Sequence, residues 1–276
     1  MLKKIFSPSL FLLIIISFCA CHVPRYAYSP SALNVPVLTQ KGDGKIGAVY
    51  STNLTGHREI DNQEIHENTN GIDVLGAYAI SNNWAITASH FQRWERTTGG
   101  PDTVNIKYRR NLTEFGGGYY FPLNENKKYF IQLFGGVGFG KFDIADHSIN
   151  GDFYHQSNIF KFYFQPAIVF RSKGSFTSSV AVRGSFIKFN DIKTNYSSSD
   201  LHDYKLDNIT GGARFFIEPA YVGSFGFKNV PGLRIEMQAV ASLFPSDKPF
   251  KHRTTNFSIG SYLDLGSLKR GSNKTQ

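Results

Sequence analysis

From residue 44 onward the chain alternates. Apolar and polar residues take turns at every second position through segment after segment, a period that suits half-buried strands. The run that begins at Phe160 puts Phe160, Phe162, Phe164, Pro166, Ile168 and Phe170 on one face and Lys161, Tyr163, Gln165 and Ala167 on the other. Phe176, Val180, Val182 and Phe186 oppose Thr177, Ser179, Arg183 and Ser185 in the same way. Farther on, Leu233, Ile235, Met237, Ala239 and Ala241 oppose Arg234, Glu236 and Gln238. No convincing helix competes with these segments.

The alternation divides into ten candidate strands, at 44–53, 72–80, 84–96, 108–122, 128–143, 157–172, 175–190, 207–222, 232–244 and 254–266. Between them short connectors, such as 81–83, 124–127 and 173–174, take turns with long ones at 54–71, 97–107, 144–156, 191–206 and 245–253. An antiparallel transmembrane barrel shows this asymmetry, with short periplasmic turns and longer outer loops. The expected fold is therefore an all-β, antiparallel transmembrane β-barrel of about ten strands. A soluble sandwich or lipocalin-like barrel also alternates, with its apolar face inward, and alternation alone does not separate the two. Two features favour the membrane. The apolar face at 160–170 is as long as the roughly 9–11 residues an oblique bilayer crossing needs. The opposite faces carry charges of both signs, Glu114, Lys161, Arg183, Arg214, Glu218, Arg234 and Glu236, which can pair across a narrow lumen as a polar network. Composition agrees: 15% aromatic residues and 26 glycines suit closely packed strands with aromatics at two interfaces.

The first 20 residues read as a secretory signal. Lys3 and Lys4 precede an apolar run from Leu10 to Phe18, broken by Ser17 alone and too short for the roughly 20 residues of a membrane helix. The end of the run, Phe18-Cys19-Ala20-Cys21, resembles a bacterial lipobox, with Phe18 where Leu is usual; the resemblance makes Cys21 a lipidated mature N-terminus. Cleavage there also explains a single cysteine without a partner in an oxidising compartment. Residues 21–43 hold three prolines and no alternation and read as an extended periplasmic tether from lipid to first strand. Residues 44–266 then form the barrel, and 267–276 a flexible tail. Within the tether, Tyr28-Ser29-Pro30, Asn34-Val35-Pro36-Val37-Leu38 and Lys41-Gly42 resemble the post-signal segment of a group of exported Bacteroidota lipoproteins. In that group the segment leads into a glycine- and aromatic-rich barrel, so the resemblance implies location and fold and says little about activity. No acidic run of the kind that resembles a surface-export signal follows Cys21. The lipid is accordingly expected in the periplasmic leaflet of the outer membrane.

Charge and motifs narrow the function. Without Lys3 and Lys4 the 30 basic residues become 28 against 21 acidic, a formal charge of +7 scattered along the chain. No basic block marks a nucleic-acid partner, and outer-membrane lipids and lipopolysaccharide are the expected anionic neighbours. Gly135 to Phe142 falls one residue short of a phosphate loop: Phe142 stands where Ser or Thr would bind magnesium, and no helix follows. His57, Glu59, Asp61, Glu64, His66 and Glu67 crowd the first long loop without a recognised metal spacing, and no metal or other cofactor is expected. A hydrolase or protease at the outer rim would need a histidine beside a carboxylate or serine. His90, Asp73 and Ser89 are the best set, spoiled because Ser89 and His90 face opposite ways. The favoured role is structural, or binding of an extracellular protein or glycan through the loops, without catalysis. A small passive channel comes second and a rim enzyme third.

Overall fold

Backbone hydrogen bonds close the alternating segments on themselves. The computed structural model describes residues 23, 25–53, 57–60, 62–100, 103–124, 126, 128–149, 151–172, 175–209, 211–227, 229–230, 232–245 and 251–272. Eleven strands share one antiparallel sheet: β1 Gly44–Thr52, β2 His57–Ile60, β3 Gln63–Ala79, β4 Trp84–Gly99, β5 Val104–Pro122, β6 Tyr129–Ser148, β7 Gly151–Arg171, β8 Phe176–Thr194, β9 Arg214–Gly226, β10 Leu233–Ala241 and β11 Thr255–Asp264. Strands β3 to β11 pair in chain order, and β1 pairs with both β11 and β3, so ten strands make a closed ring. The short β2 is a hairpin arm on β3, beyond the end of β1. Over the length of β1 the ten-strand ring has no open edge, which is what a sheet needs where no water can satisfy its backbone.

The ten expected strands are these ten, with longer bounds for β3 to β8 and shorter ones for β1, β9, β10 and β11. Strands β3 to β8 run 16 to 21 residues, well past the length of one crossing. The long loops expected at 97–107 and 144–156 are mostly strand, since β4 runs to Gly99 and β5 starts at Val104, while β6 runs to Ser148 and β7 starts at Gly151. Gly99 and Gly100, with φ of +96° and +80°, let the chain leave β4 in a conformation that other residues rarely adopt. The strand expected from 207 starts only at Arg214. Ahead of it lie α1, Ser198–Asp203, and a 3-10 turn, Asp207–Ile209. Ser197 and Asp200 exchange capping-box hydrogen bonds at the start of α1, and that local signal outweighs the weak strand pattern. At the other end of the chain, residues 265–272 are no loose tail but a helix, α2, Leu265–Ser272, begun by the Asp264 carboxylate accepting from the Ser267 N–H at 3.0 Å. Residues 273–276 lie outside the described residues.

The wall has two zones of opposite polarity. In the half nearest the short turns, apolar residues face outward: Phe164 is 51% exposed and its neighbour Gln165 only 2%. Phe162 and Ile168 share the outer face with Phe164, while Lys161 and Tyr163 point into the lumen. In the half nearest the loops the pattern reverses. Val104, Ile106 and Tyr108 of β5 are buried inside, with Lys107 and Arg109 exposed outside. Phe142 and Ile144 of β6 likewise turn inward, with Lys141 and His147 outward. The strands thus run on beyond the apolar belt as a water-facing barrel with its own apolar core.

The expected tether is not outside the barrel. Tyr26, Ala27, Tyr28, Ala32, Leu33, Val35 and Leu38 are all buried, packed against inward-facing residues of the wall. Val23 sits at the loop end, in the cluster of Ile65 and Val104. Lys41 and Gly42 sit at the turn end, their N–H groups donating to Asn82 Oδ1 at 3.0 Å and the Ala79 carbonyl at 2.9 Å. Residues 23–43 therefore thread the lumen from loop end to turn end before β1 begins. Their apolar side chains, which a solvated tether would leave in water, supply the reason.

Lysine at Phe164 places a charge on the apolar outer belt and is expected to cost roughly 2–4 kcal/mol in folding titrations into bilayers. An environment-sensitive dye at 164 should be quenched by brominated lipid, and one at 165 should not. Equal quenching at both positions would contradict the assignment of faces.

Candidate functional site

An extended segment inside a barrel brings its peptide groups into a place with little water, and each needs a partner. Pro30 and Pro36 lighten the demand by carrying no N–H. Side chains of the wall meet several of the groups that remain. Gln238 of β10 donates to the Leu33 carbonyl at 3.0 Å and accepts from the Leu33 N–H at 2.9 Å. Gln165 of β7 donates to the Asn34 carbonyl at 3.0 Å, and Gln132 of β6 donates to that of Pro36. Asp73 of β3 accepts from the Ala32 N–H at 2.9 Å. Three glutamines on three strands thus form a collar around residues 33–36. Nearer the loops, the Ala27 N–H donates to the Lys251 carbonyl and the Arg253 N–H donates to the Tyr28 carbonyl, so the strap between β10 and β11 grips the segment as well.

Charges fill the middle of the lumen. Lys161 Nζ lies 2.9 Å from Glu114 Oε1 and 3.8 Å from Glu218 Oε2. Arg183 Nε donates to Glu218 Oε2 at 2.8 Å, and its Nη1 lies 3.5 Å from Glu114 Oε2. The segment completes this cluster: the Tyr28 hydroxyl donates to Glu218 Oε1 at 2.6 Å, and Arg183 Nη2 donates to Ser31 Oγ at 3.0 Å. Four of the seven charges expected in a lumen network therefore meet in one place. The other three do not join them. Glu236 pairs separately with Lys45 at 2.6 Å. Arg234, at the turn end, donates to the Ser175 carbonyl and to the hydroxyls of Thr177 and Ser224. Arg214 is buried near the loop end beside Gly211, with no carboxylate partner among the described residues.

Sequence reasoning missed a second charged layer nearer the loops. Arg110 and Arg253 both bind Glu95, Arg253 also binds Glu67 at 2.6 Å, and Arg110 donates to the Tyr26 carbonyl. Arg25 binds Asp146 at 2.6 Å, and the Tyr196 hydroxyl donates to the same carboxylate at 2.7 Å. Arg93 lies 3.6 Å from Asp73 and donates to Asn256. Charges at alternate positions, Arg93 with Glu95 and Asp73 on the neighbouring strand, were a readable signal for part of this layer. Nothing in the pattern pointed to Arg25 or Tyr28, because their segment does not alternate.

The other candidate sites come apart. His90 lies on the outer wall, bonded to Thr113 Oγ1 at 2.9 Å, while Asp73 faces the lumen and Ser89 donates to Glu114 Oε2 at 3.2 Å. Of the acidic first loop, Glu64 and His66 are exposed and 3.5 Å apart, Glu67 turns inward to Arg253, and Asp61 lies outside the described residues. Among the described residues no group of metal-binding side chains converges. Gly135 to Phe142 lies within β6, where Gly136 and Gly116 of β5 leave room for the Tyr163 hydroxyl. The signal segment, the lipobox and Cys21 lie outside the described residues.

No family model matches the chain, and no curated protein does. Among solved structures, the translocator domain of the autotransporter NalP from Neisseria meningitidis is similar at 11% identity and a TM-score of 0.47, over 81% of this chain and 88% of that one. The outer membrane protease OmpT from Escherichia coli is similar at 8% identity and a TM-score of 0.43, over 82% and 97%. An outer membrane channel from Pseudomonas putida F1 is similar at 8% identity and a TM-score of 0.39, over 83% and 99%. Likenesses this distant carry no argument about role, and the barrel stands on its own sheet topology.

Replacing Glu218 with Gln leaves Lys161 and Arg183 with one carboxylate between them. The loss expected is about 3–5 kcal/mol, the usual range for breaking a buried pair, read from the urea midpoint of the folded barrel in detergent. Near the loop end the buried His155 ring has neither nitrogen bonded among the described residues, and burial pushes its pKa down to about 4. The native state therefore excludes a proton that the unfolded chain takes up near pH 6.5. Stability is intact above that value and falls as the pH drops toward 4, by about 3 kcal/mol in all. Hydrogen exchange in the β6–β7 hairpin should quicken over this range in the wild type and stay level in H155F.

Proposed function

We propose that the chain is an outer-membrane lipoprotein whose barrel is shut by its own N-terminal segment and works as a structural or loop-mediated binding element, without catalysis. The carrying observation is the occupied lumen: residues 25–43 run through it and are held by the glutamine collar and the central ion pairs. A passive channel needs a continuous aqueous path along that route. A rim hydrolase needs a histidine near a carboxylate or serine, and the best set is split between the two faces of the wall.

The same segment bears on the anchor. Val23 packs at the loop end, and Cys21 is two residues ahead of it, within about 7 Å of chain. With the loops outward, this supports a position of Cys21 on the outer side of the membrane, in place of the periplasmic leaflet expected of a tether. The polar outer wall above the apolar belt supports the same orientation. Protein or glycan partners would then meet the tall β3–β8 side, which carries the extended hairpins.

In planar bilayers the wild-type barrel is expected to show no steady conductance, and the Q132A/Q165A/Q238A variant to flicker open as the segment loosens. A steady open wild-type pore would favour the channel. Cysteines at Asn62 or Ser198 should react with an impermeant reagent on whole cells, and those at Asn126 or Asn229 should not. Cys21→Ala should abolish fatty-acid labelling, and a wild type that carries no lipid by mass spectrometry would remove the lipoprotein reading.

A further inference from the structure

The outer wall changes character abruptly where the apolar belt ends. On β6 the last exposed aromatic, Phe139, is followed on the same face by Lys141, and on β8 Phe186 is followed by Lys188. Lys188 is the register partner of Phe160, the topmost belt residue of β7. Higher on the wall, Arg109 of β5 stands opposite Asp143 and Lys107 opposite Ala145, with Arg96 of β4 opposite Lys107. Arg96, Lys107, Arg109, Lys141 and Lys188 are all exposed on the outward face. Lys107 and Arg109 line a concavity of about 400 Å³ with Asp143, His147, Tyr154 and Gln156. The acidic groups on this wall are fewer and partly engaged: Asp143 lies between Arg109 and Lys141, Asp152 pairs with His147 at 2.7 Å, and Asp191 accepts from Asn158 at 2.7 Å.

We propose that this wall binds the phosphate groups of an anionic glycolipid in the outer leaflet. The proposal rests on the outer-membrane orientation given above. The belt sets the depth: acyl chains lie against Phe139, Phe160 and Phe186, which brings the head group level with Lys141 and Lys188. Phosphates on the sugars above reach Arg109, Lys107 and Arg96. Cations beside an anionic membrane surface each contribute about a fivefold gain in affinity. An outward basic wall on a transmembrane strand has no comparable use in a neutral leaflet.

The test uses the purified barrel in zwitterionic detergent and a fluorescent bisphosphorylated lipid A. The wild type should bind it and release it as salt rises, and a dephosphorylated lipid A should bind at least about tenfold more weakly. K107S/R109S/K141S should lose about tenfold or more, whereas K41S/K128S/R171S, with the same charge removed at the turn end, should bind as the wild type does. K107R/R109K/K141R should bind normally, which guards against a polar triple variant that fails to fold. Equal binding of the two lipids would overturn the proposal. So would equal loss in both triple variants, or full displacement by millimolar inorganic phosphate, which would make the wall a free-anion site.

Discussion

Two buried cations, Lys161 and Arg183, sit at the centre of the barrel, and their neutralisation orders much of what surrounds them. A charge in that position, ringed by protein and by membrane, has to be matched by carboxylates and hydroxyls at hydrogen-bond distance. Glu114 and Glu218 supply the charge from the wall, and Tyr28 and Ser31 supply hydroxyls from the segment inside. The segment is therefore part of the electrostatic balance of the wall and not a passive filling. Its own peptide groups in turn depend on Gln132, Gln165 and Gln238, whose amides can donate and accept at once. Wall and segment each satisfy polar groups that the other would leave buried and unpaired.

The apolar side chains of the segment are then divided between two compartments. Tyr26, Ala27 and Tyr28 join the core at the loop half, and Leu33, Val35 and Leu38 join smaller clusters at the turn half. The charged layer lies between them. The outside divides more simply, into an apolar belt around the turn half and a polar wall around the loop half, and the loop half encloses both an apolar core and the second charged layer. The barrel is thus two kinds of protein on one set of strands, a membrane barrel below and a water-soluble one above.

Strand number, closure and the facing of β7, β8 and β10 were legible in the sequence, because period two survives in every crossing segment. The strand extensions were not. Across 144–156 the alternation continues, but the apolar set moves to the other face, so that Ile144 faces inward where Ile168 faces outward. Lys107 then looks like a loop charge, and Arg109 and Lys141 like residues at the ends of their strands. Of the lumen charges, Glu114, Lys161, Arg183 and Glu218 were legible by their place opposite apolar faces. Tyr28 and Arg25 were not, since a segment with no regular period gives no clue to what it packs against. Proline and polar spacing in 21–43 suited a tether equally well; the buried Leu33, Val35 and Leu38 were the overlooked hint.

The threading has a kinetic side. Tyr28 meets Glu218 across 190 residues of sequence, and Leu33 meets Gln238 across 205, so these bonds cannot form until β9 and β10 have been made. Contacts of such separation are slow to arrive. The ring, however, is sealed by β1 against β11, and β1 begins directly where the thread leaves the lumen. Once that seam is zipped, a thread left outside has no side opening through which to enter. The order of two late events therefore decides between a filled barrel and an empty one, and whatever assembles this chain must keep the seam apart until the thread is in place.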